Sequence, residues 1–62
     1  MSRKLTNKAV AHVVEDEGLD YSVQRYLSPE DIKDPKLAKL WAKARKNLDK
    51  IEEVLSQAME ES

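Results

Sequence analysis

The sequence contains no cysteine, and this absence removes several ways in which a short chain can be stabilised. Disulfide bonds and thiolate metal sites are both excluded. A single histidine, His12, cannot build a structural zinc site either, because such a site needs about four side-chain ligands. A chain of 62 residues must therefore rely on helix packing or on self-association to bury enough apolar surface.

Residues suited to catalysis are equally scarce. His12 has no cysteine to pair with, and general acid–base catalysis requires a positioned partner. The only glycine, Gly18, excludes a glycine-rich phosphate loop. The acidic cluster between residues 15 and 20 lacks the alternating oxygen ligands of a calcium loop. We therefore expect no catalytic residue, no cofactor-binding residue and no metal ligand, and we predict that the protein is not an enzyme.

Long hydrophobic runs are also missing. No apolar segment approaches the length of a membrane span, and the start Met1-Ser2-Arg3-Lys4 lacks the hydrophobic stretch of a signal peptide. These features favour a cytoplasmic location and no membrane partner. The net charge of −1 gives no strong preference for nucleic acid.

Helix-forming residues dominate what remains. Charged residues make up 37% of the chain, and Ala, Leu, Lys and Glu are abundant. Thr6 is a candidate N-cap and Gly18 a candidate helix stop, while Ser28-Pro29 and Asp34-Pro35 are typical helix starts. We predict an all-α fold with one domain over residues 1–62. It comprises helices over about 7–17 and 21–27, a short turn over 29–33, and a long amphipathic helix over 35–59.

The long helix carries the clearest pattern in the sequence. Apolar residues recur along it at alternate spacings of four and three, which is typical of a helix that packs against another helix. We refer to the predicted interface as the seam, and it comprises Leu37, Leu40, Trp41, Ala44, Leu48, Ile51, Val54, Leu55 and Ala58.

Helix lengths favour a second chain on the seam. The long helix spans roughly 36 Å, whereas the two shorter helices reach only about 16 and 10 Å and leave part of the seam uncovered. The first half of the long helix is basic and its end, with Glu52, Glu53, Glu60 and Glu61, is acidic. These patterns predict an antiparallel homodimer, a helical bundle or coiled coil, in which each basic half lies beside an acidic half. The alternatives are a monomeric three-helix bundle and a different protein bound to the seam.

A second feature of the long helix is a row of lysines. Their alternating spacing puts Lys36, Lys39, Lys43, Lys46 and Lys50 on one face, where they form a candidate anion-binding surface. A solvated outer face is the simpler interpretation. Aromatic residues are not interleaved with these lysines, and Tyr21 and Tyr26, five residues apart, are not expected to share a face. The sequence thus predicts a self-associating helical protein–protein interaction module. The alternative is a nucleic-acid-binding regulator that uses the lysine face.

Overall fold

The computed structural model describes residues 4–60. Residues 1–3 and 61–62 lie outside this range, and so does Glu61 of the predicted acidic end. Within the range the secondary structure is helical, apart from one isolated bridge between Leu5 and Ile32. The elements are α1 (Asn7–Glu17), α2 (Leu19–Tyr21), a π-helical turn (Ser22–Tyr26), a 3-10 turn (Pro29–Asp31), α3 (Pro35–Ala42) and α4 (Ala44–Glu60).

The ends of α1 follow from local chemistry. The Thr6 hydroxyl accepts a hydrogen bond from the backbone N–H of Ala9 at 3.2 Å, which satisfies one of the unpaired groups of the first turn. Gly18 follows α1 with a φ of 89°, and its N–H donates to the carbonyl of Val14. This backbone conformation favours glycine. The range Asn7–Glu17 is the one that the sequence predicts.

The second helical segment differs from the α-helix expected over residues 21–27. One α-helical turn is followed by a π-helical turn, in which the N–H of Leu27 donates to the carbonyl of Ser22 at 2.9 Å. Ser22 is fully buried, and its hydroxyl donates to the Gly18 carbonyl at 2.7 Å. The chain therefore takes a wider turn here, because a buried serine and a hydrogen-bonded glycine carbonyl fix its start.

The starts of α1 and α3 are tied together. One carboxylate oxygen of Asp34 accepts from the N–H of Lys36 at 2.9 Å and caps α3, while the other accepts from the side-chain amide of Asn7 at 2.9 Å. Two backbone hydrogen bonds of Leu5, one to Asp31 and one from Lys33, pair the two lead-in segments. Both helices therefore begin at the same end of the molecule.

The prediction of one long helix over 35–59 is wrong in one respect, because the helix is interrupted. Lys43 has a φ of −119° and a ψ of 46°, which separates α3 from α4, and Asn47 is also non-helical. The Asn47 amide donates to the Leu40 carbonyl at 3.5 Å, back across the interruption. No proline or glycine lies between residues 36 and 60. The two helices contact each other and have different further neighbours: α3 contacts the 3-10 turn, whereas α4 packs against α1.

One hydrophobic core unites the helices. Its buried members come from α1, from Ile32 and from both α3 and α4: Val10, Ala11, Ile32, Leu37, Trp41, Ala44, Ile51 and Leu55. The molecule measures 27 × 27 × 22 Å, shorter than the expected straight helix. None of the helices described here is long and apolar enough to cross a membrane.

Candidate interaction surfaces

The seam lies mostly inside the chain's own core. Five of its members are buried, namely Leu37, Trp41, Ala44, Ile51 and Leu55, and the other four are half-buried, namely Leu40, Leu48, Val54 and Ala58. The helix lengths led us to expect incomplete cover for Leu48, Ile51, Val54 and Leu55; this is wrong for Ile51 and Leu55, which are buried, whereas Leu48 and Val54 are half-buried. The expected straight helix is broken at Lys43, and the part after the break, α4, packs against α1. Self-association stays a prediction.

The five predicted lysines are all exposed, yet they do not form one continuous stripe. Lys36 and Lys39 lie on α3, Lys46 and Lys50 lie on α4, and Lys43 occupies the break between the two helices. Lys36 lines a separate depression beside Asn7 and Asp34. The structure brings Lys43 and Lys46 together with Arg25 and Arg45, two cations that the spacing argument did not select.

We call the surface around these four cations the basic groove. It lies where α3 and α4 diverge and faces the π-helical turn, and its lining consists of Val23, Gln24, Arg25, Trp41, Ala42, Lys43, Ala44, Arg45 and Lys46. The lining contains no acid. Within residues 4–60, none of its four cations forms an ion pair. The groove therefore combines an apolar floor with positive charge that no ion pair among residues 4–60 neutralises.

Trp41 joins the two walls of the basic groove. Its side chain is only 3% exposed, and the indole Nε1–H donates to the Leu27 carbonyl at 3.0 Å. This hydrogen bond connects α3 to the end of the π-helical turn. Because a buried indole N–H needs an acceptor, the bond also fixes the orientation of the ring.

The π-helical turn presents an exposed aromatic pair. Tyr21 and Tyr26 are 49% and 51% exposed, and their ring centroids are 6.2 Å apart with the planes tilted by 57°. The expectation that these residues do not share a face is wrong. In a π-helix the hydrogen bonds join residues five apart, so positions 21 and 26 lie above one another. Tyr26 directly follows Arg25 of the basic groove.

The opposite end of α4 carries a second groove, which we call the acidic groove. It lies between α1 and α4 and is lined by Ala11, Val14, Glu15, Glu52, Leu55, Ser56, Met59 and Glu60. Three acids surround its apolar floor, and the lining contains no cation. Lys46 and Glu60 are about 21 Å apart along the helix. One helix thus carries grooves of opposite charge.

The remaining titratable groups offer little chemistry. His12 lies 3.6 Å from Glu15, and both side chains are more than half exposed, so the pair is a surface contact. The Asn7 amide, and then the N–H of Lys36, hold the pKa of Asp34 below its ordinary value of 3.8. Oδ1 of Asn7 is buried and has no hydrogen-bond partner among the described residues. In that part of the chain, no three acidic or histidine side chains cluster as metal ligands would.

Comparisons with protein-family models, with curated proteins and with solved structures found no match.

Proposed function

We propose that this protein is a non-catalytic helical protein–protein interaction module, and that it binds through the basic groove, whose lining includes Trp41 and Ala44 of the seam. The observation that supports this proposal is the set of four unpaired cations around an apolar floor. An acidic segment of a protein chain complements both features, because its carboxylates meet the cations while its apolar side chains cover the floor.

The composition of the basic groove is typical of a protein interface. Tryptophan and arginine are enriched where protein partners make their strongest contacts, and Trp41, Arg25 and Arg45 all line the groove. Exposed ion pairs alone contribute only about 0.2–1 kcal/mol each. The apolar floor must therefore supply much of the affinity, and the charges select the partner and speed its association.

Single-stranded nucleic acid is a second candidate ligand, and the tyrosine pair favours it. Proteins that bind single strands combine a basic groove with exposed aromatic rings on which bases stack. Tyr26 directly follows Arg25 of the groove, and its ring lies beside that of Tyr21. The acids on the rest of the surface disfavour a long nucleic-acid ligand, because they repel phosphates beyond the groove.

The test uses Trp41, the only tryptophan, as a fluorescence reporter in the groove. We expect an amphipathic peptide of glutamate, leucine and alanine to change its emission on binding, and to bind at least about tenfold more weakly to the double variant Arg45→Glu, Lys46→Glu. The matched control is Lys8→Glu, Lys33→Glu, which makes the same change of charge at exposed positions outside the groove.

A parallel titration with oligothymidylate distinguishes the two ligands. If the strand binds and the peptide does not, and if Tyr21→Ala, Tyr26→Ala weakens that binding, the nucleic-acid function is correct and the protein–protein function is wrong. If neither ligand binds, the basic groove is not the binding surface.

A further inference from the structure

We propose that the acidic partner of the basic groove is the acidic groove of a second copy of this chain. The inference rests on the proposed function, because it names the partner of the same site. The two grooves match in character: the basic one has four cations around an apolar floor, and the acidic one has three acids around a floor of Val14, Leu55 and Met59.

The two grooves lie at opposite ends of α4. Arg45 lines the basic groove before the non-helical residue Asn47, while Glu52, Ser56 and Glu60, spaced four apart, form a row that lines the acidic groove after it. The half-buried Leu48 and the exposed Asp49 lie between the two grooves along the chain. The surface along α4 is therefore basic at its start and acidic at its end.

This order fixes the orientation of the pair. If two copies place these surfaces together with their α4 helices antiparallel, each basic groove meets the partner's acidic groove, and both contacts form at once. A parallel arrangement instead sets like charges against each other. The antiparallel pair has twofold symmetry and is closed, so it does not propagate into a filament. An interface of ordinary size covers about 800 Å² per partner, roughly a sixth of this chain's 4798 Å² accessible surface.

The same geometry makes the pairing sensitive to salt. All of the charged side chains that line the two grooves are exposed in the single chain, so ions screen their attraction over about 10 Å at moderate ionic strength. We expect the dissociation constant of the pair to rise severalfold between low and high salt. A pair built on the buried seam would lack this dependence.

A charge exchange tests the proposal. The first variant, Lys43→Glu with Arg45→Glu and Lys46→Glu, leaves Arg25 as one cation beside three acids, so both grooves are acidic. The second variant, Glu52→Lys with Glu60→Lys, leaves Glu15 as one acid beside two lysines, so both grooves are basic. We expect each variant alone to remain monomeric at concentrations where the original chain pairs, and an equimolar mixture to form a one-to-one pair. Light scattering behind a sizing column at low salt measures the masses, and circular dichroism confirms that each variant is folded.

Three results would overturn the second-copy inference. They are an original chain that is monomeric at the highest soluble concentration, a pair that persists when each variant is measured alone, or a mixture of the two variants that stays monomeric. The proposed function is judged separately, because the Glu52→Lys, Glu60→Lys variant keeps an intact basic groove. If that variant binds the acidic peptide while the mixture does not pair, the module binds another protein and the second copy is excluded.

Discussion

Leu37 and Leu48 belong to the same predicted seam, but the structure gives them different environments. Leu37 is fully buried in the core, whereas Leu48 is half-buried on α4, between the two grooves along the chain. Truncation of a buried leucine costs about 2–5 kcal/mol. A domain of this length has a total stability of roughly 3–9 kcal/mol. Leu37→Ala therefore removes a large part of the folding free energy.

The expected loss for Leu48→Ala is smaller, about 1 kcal/mol, because the side chain already contacts solvent in the folded chain. Each kcal/mol lowers the melting temperature of a domain this small by about 4–8 °C, so Leu37→Ala should melt at least ~10 °C lower than the original chain. Thermal melts followed by far-UV circular dichroism measure both variants. The melts are run in high salt, which weakens pairing through the charged grooves.

Protein concentration supplies the decisive control. If the core is closed within one chain, the midpoints in high salt do not change between dilute and concentrated samples. Equal losses for the two variants, or midpoints that rise with concentration, would show that the seam is an interface between chains. The argument from burial within one chain would then be wrong.

Three further substitutions test local features. Gly18→Ala should lower the free energy of unfolding by about 1–3 kcal/mol, because alanine is strained at a φ of 89°. A clash is not the reason, since nothing lies within 4 Å of the added Cβ. An unchanged midpoint of chemical denaturation would contradict this prediction. Trp41→Phe should cost about 1–3 kcal/mol by removing the donor to Leu27, and a neutral result would mean that the bond is dispensable. The lowered pKa of Asp34 implies stability that is present above pH 3.8 and is lost as pH falls through the lower folded value. Asp34→Asn should therefore make the unfolding midpoint depend less on pH in the acid range. If the variant and the original chain have the same pH profile, other groups cause the acid dependence.

Features that depend on neighbouring residues could be predicted from the sequence. Thr6, Gly18 and Asp34 mark helix ends through a side-chain oxygen or a backbone conformation, and each of these mechanisms operates within a few residues. The all-helical fold follows from composition and from the spacing of apolar residues. Of the basic groove, the spacing of the lysines predicted Lys43 and Lys46, and the spacing of the apolar residues predicted Trp41 and Ala44.

The remaining features depend on contacts between distant segments. No glycine or proline marks the break at Lys43 in the sequence, and α3 and α4 pack against different further neighbours. Arg25 reaches the basic groove from the π-helical turn, so no spacing along α4 could include it. That turn also changes which residues share a face, and for this reason an α-helical wheel separates Tyr21 from Tyr26.

The tie between the starts of α1 and α3 has a consequence for the order in which the chain folds. The hydrogen bond from Asn7 to Asp34 joins residues 27 positions apart, and the Leu5 bridge to Ile32 spans a similar distance. During synthesis α1 is complete long before its anchoring partners exist, and an isolated helix of 11 residues is only marginally stable in water. The first half of the chain is therefore not an autonomous folding unit: α1 gains its anchors only once residues 31–34 have been added, and its packing partner α4 is added later still.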